Sequence, residues 1–381
     1  MKVLHILNEI KFSGAESMLK DAAPLFREGA IESHVLSTGD VEGEYANVLR
    51  AAGYAVHHIP FRKAPVYFLQ LYCFLVREQF DVVHIHPERA FFWHALVAKV
   101  AKIKVVLRTV HNVFLFSGFL RLGRTVQRWI ARQILGVKFV AVGPSVAQVE
   151  RDVFRNNAVL IPNWVDTDKF SPATDYERSE LRAKLEILPT DVVITSVGSC
   201  SEVKNHMAII VAIAEVAQEF SNLIYLHVGE GPLLSAEIDL LKQNSLLEKA
   251  RVLGQIGNVR NVLVASDIFV MTSKYEGVPL AGIEAMSCGL PVVVYDVYGL
   301  RDIVENGRDG FLVQPDPDAL SDALKELVRN NELRERMGAR AKNSVLRNFN
   351  MDDSLEKLVR LYRGEPTTLG MQGKVTVSRN Q

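Results

Sequence analysis

The sequence is poor in cysteine and has no long hydrophobic run. Its three cysteines, Cys73, Cys200 and Cys288, lie far apart in apolar or helix-like surroundings. Their spacing matches neither a disulfide framework nor a metal motif, and it favours a reducing compartment. No uninterrupted apolar stretch approaches the roughly 20 residues that span a bilayer. The N-terminal apolar run is too short for the core of a signal peptide, so we expect a cytoplasmic protein.

The chain also has no excess of charge of either sign. Lysine and arginine number 44, and aspartate and glutamate number 44. The overall charge therefore gives no reason to expect a nucleic-acid partner. A hydrophobic content of 48% over 381 residues is typical of a soluble globular protein, and the length suits two domains.

Short β-branched runs alternate with helical patterns along the whole chain. Predicted helices include Ala15–Phe26, Tyr67–Arg77 and Leu120–Leu135. The predicted strands are Val3–Leu7, His34–Leu36, Val82–His86, Val105–Arg108, Phe139–Val142 and Val159–Ile161 in the first half, and Val192–Val197, Leu223–Val228, Arg251–Leu253, Ile268–Met271, Pro291–Val294 and Gly310–Val313 in the second. Such alternation predicts an α/β fold with parallel sheets covered by helices on both faces.

A segment rich in Pro, Asp and Asn, Pro162–Pro172, separates the two series. We therefore predict two Rossmann-like, doubly wound domains, residues 1–165 and 166–345, facing each other across a cleft. Residues 346–363 are expected to form a helix that returns to the first domain, and 364–381 a loose tail. Ligands of open parallel sheets bind at the carboxyl ends of the strands, which places the reaction in the cleft.

The most informative segment runs from Asp267 to Pro291. A buried strand ends in a polar turn, and the sequence Glu276-Gly277-Val278-Pro279 leads into a helix that starts near Leu280 and carries Glu284. Backbone N–H groups at a helix start can hold phosphate or sugar oxygens. The two carboxylates can accept hydrogen bonds from sugar or ribose hydroxyls. The alternative is that Glu276 only complements the helix dipole and Glu284 is a surface carboxylate.

Two further glycine turns follow strands of the second half. In one, Gly198 precedes Lys204, whose charge could stabilise a leaving diphosphate. In the other, Gly229 and Gly231 form a turn that suits either a nucleotide contact or a plain tight turn. Each signal is weak when taken alone, because lysines and glycines are common in exposed turns.

Taken together, these segments resemble the retaining glycosyltransferases of family 4, which have the GT-B fold. The resemblance covers nearly the whole chain and is strongest from Ile161 to Pro315. Its most specific mark is Glu276, seven intervening residues and Glu284. Supporting matches are Ile161–Phe170, Val228–Pro232 and Gly14-Ala15-Glu16.

The resemblance implies roles for individual residues. Glu276 would contact the donor sugar, Glu284 the ribose and Lys204 the diphosphate, while His111 would face the sugar from the first domain. The remaining donor-binding residues implied are Gly14, Gly198, Gly229, Gly231, Gly277, Val278, Pro279 and Leu280. The implied reaction is a front-face transfer with retention that needs no metal or other cofactor. The departing diphosphate would help to deprotonate the acceptor hydroxyl.

Two positions depart from the family pattern. Ser199 stands where the family usually has an arginine that pairs with the lysine on the diphosphate, so part of the expected positive charge is absent. Trp164 replaces a common glycine in the linker. The first departure keeps a second interpretation open, namely a non-catalytic subunit that binds a sugar nucleotide.

A basic region in the first half indicates an acceptor or membrane contact. Between Lys99 and Lys138 there are nine basic residues and no acidic one. Arg121, Arg124, Arg128 and Arg132 recur at helical spacing beside the aromatic loop Phe114–Phe119. Such a helix suits an anionic membrane surface or a lipid diphosphate, and equally a packed helix with solvated or paired arginines.

Other activities fit the sequence less well. His84 and His86 alternate on a strand, so they face one side and form a packed or acceptor-facing pair more readily than a metal pair. A dinucleotide oxidoreductase would need Gly-x-Gly-x-x-Gly after the first strand, where Asn8–Gly14 stands instead. An epimerase or phosphorylase of the same fold would need a different acid/base set or a pyridoxal-binding lysine, and neither is found.

The sequence does not identify the donor or the acceptor. By family usage, a UDP-linked hexose or N-acetylhexosamine ranks first as donor, with GDP-mannose next. A glycan or lipid-linked acceptor of surface polysaccharide synthesis is expected. Such an acceptor would place the protein on the inner face of the plasma membrane.

Overall fold

Seven parallel strands form the first sheet of the computed structural model, which describes residues 1–365. Its order is β3-β2-β1-β4-β5-β6-β7. The strands are β1 (Lys2–Leu7), β2 (Glu32–Ser37), β3 (Ala55–His58), β4 (Val82–Ile85), β5 (Val105–Val110), β6 (Lys138–Ala141) and β7 (Val159–Leu160). The helices among them are α1 (Gly14–Glu28), α2 (Ala46–Ala52), α3 (Pro65–Glu78), α4 (Phe91–Val100), α5 (Gly118–Gln133) and α6 (Pro144–Phe154).

Six parallel strands form the second sheet, in the order β10-β9-β8-β11-β12-β13. They are β8 (Val192–Val197), β9 (Leu223–Val228), β10 (Ala250–Val252), β11 (Ile268–Met271), β12 (Val292–Tyr295) and β13 (Gly310–Val313). The helices are α7 (Asp175–Lys184), α8 (His206–Glu219), α9 (Leu234–Gln243), α10 (Val259–Ala265), α11 (Leu280–Ser287), α12 (Pro317–Arg329), α13 (Asn331–Asn348) and α14 (Met351–Tyr362), and a 3₁₀ turn spans Leu247–Lys249.

These two sheets confirm the predicted α/β architecture of two Rossmann-like halves. The apolar runs became fully buried central strands, as in β4, β11 and β12. One strand, β3, was not predicted. It is an edge strand of sequence Ala-Val-His-His that is half-buried to exposed, so it carries no apolar run that would mark it.

The helix α14 packs on the first sheet although it ends the described chain. It begins at Met351, and Leu355, Leu358 and Tyr362 share a hydrophobic core with Phe26 of α1. The Tyr362 hydroxyl is also 2.7 Å from Nδ1 of His84. Most of the tail predicted at 364–381 lies outside the described residues.

Direct hydrogen bonds join the two halves at the cleft. Asp302 accepts two of them from Ser145, from the backbone N–H at 2.8 Å and from the hydroxyl at 2.7 Å. Asn163 donates its side-chain N–H to the Val278 carbonyl oxygen at 2.9 Å. These contacts set the carboxyl ends of the two sheets against each other, where parallel sheets bind their ligands.

Candidate active site in the cleft

Two loops bring a lysine and a glutamate together at the carboxyl edge of the second sheet. Lys204 lies in the loop after β8 and Glu276 in the loop after β11, and these strands are neighbours. The Lys204 Nζ is 2.6 Å from Glu276 Oε1. Both side chains are largely buried, with exposures of 23% and 13%. Two residues that sequence analysis assigned separately to diphosphate and sugar therefore form one ion pair.

The N-terminus of α11 lies directly beyond Glu276. Its N-cap is Pro279, which makes no side-chain hydrogen bond to cap the helix. The amides of Gly282 and Ile283 donate to the Pro279 carbonyl oxygen. Among residues 1–365, those of Leu280 and Ala281 donate to no acceptor. Free amides at the positive end of a helix dipole make this an anion-binding position.

Glycines let the first domain approach this helix closely. A Cβ at Gly277 would stand 1.9 Å from the His111 carbonyl oxygen, and one at Gly14 would stand 2.9 Å from Leu280 Cδ1. Any side chain at Gly277 would therefore push the two domains apart. The start of α1 meets the start of α11, so the structure brings Gly14, Gly277, Leu280 and His111 into one region.

The imidazole of His111 is held by other histidines. Its Nε2 is 2.7 Å from Nδ1 of His86, whose Nε2 is 3.2 Å from Nδ1 of His5. Burial, reinforced by the charge of Arg108, lowers the pKa of His111 to about 3. The His111 imidazole is therefore neutral at physiological pH. Sequence analysis missed His5 and the link from His86 to His111, although the alternation of His84 and His86 had placed both on one side.

Glu284 lies about one turn into α11 and is half-buried. Within residues 1–365 its carboxylate accepts no hydrogen bond. Burial raises the pKa of Glu284 to about 7, with Lys169 lowering it and Asp21 raising it. The Lys169 Nζ is itself 3.7 Å from the Asp21 carboxylate of α1. An unsatisfied acceptor of this kind suits a ligand that brings its own hydroxyl groups.

The turn of Gly229 and Gly231 packs against the loop that carries Lys204. A Cβ at Gly229 would lie 1.8 Å from the Gly198 carbonyl oxygen, and one at Gly231 would lie 2.5 Å from that of Cys200. Both glycines thus support the Lys204 loop through its backbone. Ser199 is exposed, and its hydroxyl is 3.3 Å from that of Ser201. The loop therefore presents hydroxyl groups where the family resemblance implies an arginine.

The arginines predicted for acceptor or membrane contact divide between two environments. Arg128 is fully buried, with Nε 3.0 Å from the Glu150 carboxylate and its terminal nitrogens 3.1 Å from Glu88. Arg124 is half-buried and donates to the Glu88 carbonyl oxygen, whereas Arg121 is exposed and Arg132 half-buried. Arg128 is therefore not available to an acceptor or a membrane, because Glu88 and Glu150 hold it inside, as the alternative of a packed helix with paired arginines had it.

The outward face of α5 is apolar instead. Phe119 is 94% exposed, and Leu122, Val126 and Trp129 are exposed at helical spacing on the same side. In the loop before the helix, Leu115 is also exposed. In residues 1–365 no helix has both the length and the apolar character to cross a membrane.

The two parallel-sheet halves meet at their carboxyl edges, with the Lys204–Glu276 pair at the edge of the second sheet, and this is the architecture of the GT-B fold. Two family models match the chain, "Glycosyltransferase Family 4" over residues 12–169 and "Glycosyl transferases group 1" over residues 177–344. The chain belongs to glycosyltransferase family 4.

Named relatives agree with this family, and a solved structure agrees with the fold. A UDP-Gal:alpha-D-GlcNAc-diphosphoundecaprenol alpha-1,3-galactosyltransferase of Escherichia coli is 28% identical over 306 residues, 77% of this chain and 78% of its own. A phosphatidyl-myo-inositol mannosyltransferase of Mycobacterium tuberculosis is 27% identical over 92% of this chain and 96% of its own. HepE of Anabaena, solved in complex with UDP-glucose, has a TM-score of 0.80 at 18% identity, covering 96% of this chain and all of HepE.

Proposed function

We propose that the chain transfers a hexose or N-acetylhexosamine from a nucleotide-sugar to a glycan or lipid-linked acceptor, with retention of anomeric configuration. The observation that carries this proposal is that the free amides of Leu280 and Ala281 begin the helix directly after Glu276, whose carboxylate is paired with Lys204. An anionic diphosphate matches both features. A UDP-sugar ranks first as donor, supported by the names of the galactosyltransferase relative and of the UDP-glucose complex. GDP-mannose ranks second.

In this proposal the second domain, residues 166–345, holds the donor and the first, residues 1–165, the acceptor. The diphosphate lies on the start of α11, where Lys204 turns from Glu276 to the phosphate. Glu276 is then free to accept hydrogen bonds from the sugar hydroxyls. His111 faces the sugar from the first domain as a neutral ring, and Glu284 accepts from the ribose.

The transfer step is a front-face displacement. The bond between the anomeric carbon and the β-phosphate oxygen breaks while the acceptor oxygen bonds to the same face of that carbon. The acceptor proton passes to the departing phosphate oxygen. Lys204 and the α11 amides supply positive charge where the leaving group gains negative charge, so the proposed reaction needs no metal.

Nucleoside diphosphate release and product structure test the proposal together. Release is measured over a panel of UDP- and GDP-sugars with lipid-linked and free glycan acceptors. NMR of the product is expected to show the anomeric configuration of the donor. An inverted product would contradict retention. Absence of release with every donor, despite donor binding, would favour a non-catalytic sugar-nucleotide-binding subunit.

We further propose that the apolar face of α5 contacts an anionic membrane that carries the acceptor. Phe119 and Trp129 are aromatic side chains of the type that lie at membrane interfaces, and Arg121 stands beside them as an exposed cation. Sedimentation with vesicles containing anionic lipid is expected for the wild type and reduced for Phe119→Ser/Trp129→Ser. Tyr176→Ser, which removes an exposed aromatic of α7, serves as the control. Equal sedimentation of all three proteins would remove the membrane proposal.

A further inference from the structure

Four buried side chains that can bind metals meet beneath the Lys204 loop. Cys200 lies in that loop, His206 is the first residue of α8, His227 is on β9 and Glu237 is on α9. One ligand atom from each lies within 4.8 Å of all the others, and all four residues are buried. Only the first two are close in sequence, so the fold is needed to assemble the group.

Three distances within the cluster are close to those of a tetrahedral ligand set. The Cys200 Sγ is 3.3 Å from His227 Nε2, and His206 Nδ1 is 3.2 Å from Glu237 Oε1. His227 Nε2 is 3.9 Å from the second Glu237 oxygen. Zinc bonds of about 2.0–2.3 Å at tetrahedral angles place ligand atoms roughly 3.3–3.8 Å apart. An ion therefore needs only small side-chain adjustments to bind all four.

A neighbouring residue also orients one of the ligands. The Ser196 hydroxyl is 2.8 Å from His227 Nδ1 and 2.7 Å from the Tyr225 hydroxyl. A hydrogen bond at Nδ1 directs Nε2 toward Cys200 and Glu237. A hydrogen bond to the imidazole nitrogen that does not bind the metal fixes the ring orientation of metal-binding histidines.

The charges of the cluster balance with a divalent cation. A Cys200 thiolate and a Glu237 carboxylate contribute two negative charges, and two neutral imidazoles contribute none. A 2+ ion makes the buried set neutral.

We propose that Cys200, His206, His227 and Glu237 form a structural Zn²⁺ site that fastens the Lys204 loop to β9 and α9. A thiolate with two imidazoles and a carboxylate is a ligand set that zinc accepts, and four protein ligands leave no open position for catalysis. The ligands Cys200 and His206 bracket Lys204, so the ion holds both ends of the segment that carries the proposed diphosphate-binding cation. This site is separate from the donor pocket, and the sugar-transfer reaction proposed above still proceeds without a metal.

Metal uptake by the full-length chain tests this site without any donor or acceptor. Every protein carries Cys73→Ser, because Cys73 is an exposed thiol that could bind metal by itself. Zinc content is measured after dialysis against zinc and removal of loosely held ions, with about one equivalent per chain expected. Cobalt replacing zinc is expected to give a thiolate-to-cobalt charge-transfer band and the strong visible bands of a tetrahedral site.

Three variants separate this site from other thiols and from misfolding. Cys200→Ser is expected to abolish the charge-transfer band, whereas Cys288→Ser, which removes another buried thiol, retains it. Glu237→Gln keeps the thiol and the side-chain shape, and it is expected to weaken zinc affinity by at least ~10-fold. Circular dichroism of the metal-free proteins shows whether each variant folds.

Zinc is also expected to raise the melting temperature of the wild type and to leave that of Cys200→Ser unchanged. A folded wild type that takes up no metal would overturn the proposal and leave a hydrogen-bonded network in its place. A charge-transfer band that survives Cys200→Ser would overturn it as well. Both outcomes leave the sugar-transfer proposal untouched, because donor binding is not part of the measurement.

Discussion

Lys204 and Glu276 form an ion pair at the carboxyl edge of the second sheet, with Nζ 2.6 Å from Oε1. The pair joins the loops that follow two neighbouring strands, β8 and β11. In the proposed reaction a diphosphate would replace Glu276 as the anion beside Lys204, and sugar hydroxyl groups would replace the ammonium beside Glu276. Substituting Lys204 is therefore expected to affect nucleotide binding, whereas substituting Glu276 is expected to affect the sugar.

The first prediction concerns this pair. Lys204→Met is expected to lower kcat by roughly 10²–10³-fold and to weaken nucleoside diphosphate binding, because it removes the charge that stabilises the leaving group. Glu276→Gln is expected to lower transfer by a similar factor while nucleoside diphosphate binds as tightly as before or more tightly. Steady-state kinetics measure the loss of transfer, and calorimetry with the nucleoside diphosphate measures the change in its affinity.

Lys274→Met supplies the control for charge, since Lys274 is an exposed lysine on the same edge of the sheet. Its kinetics are expected to stay within about twofold of the wild type. Equal loss of diphosphate affinity in Lys204→Met and Glu276→Gln would argue that the two residues act only as a structural pair.

The second prediction concerns the close approach of the two domains. In Gly277→Ala the added Cβ would lie only 1.9 Å from the His111 carbonyl oxygen, so the domains must separate. Transfer is expected to fall by at least ~10²-fold, because His111 moves away from the donor. Gly257→Ala, where a Cβ meets nothing within 4 Å, is the control and should retain activity. Small-angle scattering would register an open Gly277→Ala protein, and an unchanged shape with full activity would refute the role of this contact.

The third prediction concerns pH and Glu284. Its pKa in the folded protein is about 7, against 4.5 for an ordinary glutamate. The folded state therefore holds more protons than the unfolded state between about pH 4.5 and 7, so folding stability falls as pH rises through this window. Glu284→Gln removes this effect. The melting temperature of Glu284→Gln minus that of the wild type is therefore expected to be more positive at pH 8 than at pH 5.

The same carboxylate should affect donor binding in the opposite sense. In the proposed site ionised Glu284 would accept hydrogen bonds from both ribose hydroxyls, so wild-type donor affinity should increase as pH rises through about 7. Glu284→Gln should bind donor more weakly at pH 8 and lose most of this pH dependence. Glu356→Gln, an exposed change on α14, controls for general charge effects. Identical pH profiles for wild type and Glu284→Gln would show that another group controls binding.

The fourth prediction concerns the buried arginines of the first domain. Glu88 accepts hydrogen bonds from Arg108 at 2.7 Å and from Arg128 at 3.1 Å. Glu88→Gln leaves excess positive charge in the core and is expected to cost about 3–5 kcal/mol of unfolding free energy. Asp152→Asn breaks the exposed pair with Arg151 and should cost about 0–1 kcal/mol. Chemical denaturation measures both, and similar small losses would contradict the internal role of Arg128.

The strand before Glu276 and the start of α11 were predictable because their signals are local. The buried strand before Glu276, the turn and the start of α11 are continuous in sequence, and periodicity placed them correctly. The inward face of α5 was not predictable. Helical spacing groups Arg124 and Arg128, but only the distant carboxylates of Glu88 and Glu150 decide that this face points into the protein.

Contacts between distant segments account for the other differences. His5 and His86 meet His111 only because β1, β4 and β5 are adjacent in the sheet. Cys200 and His206 likewise acquire His227 and Glu237 as neighbours through the packing of β8, β9 and α9. The edge strand β3 has no apolar pattern in its sequence, so its pairing with β2 is seen only in the structure.

A crystal structure of the chain soaked with a nucleotide-sugar that it turns over is the most direct test of the donor site. We expect the diphosphate on the amides of Leu280 and Ala281, with Lys204 Nζ moved from Glu276 to a phosphate oxygen. Nucleotide-sugar bound elsewhere, with the start of α11 empty and the Lys204–Glu276 pair intact, would contradict it.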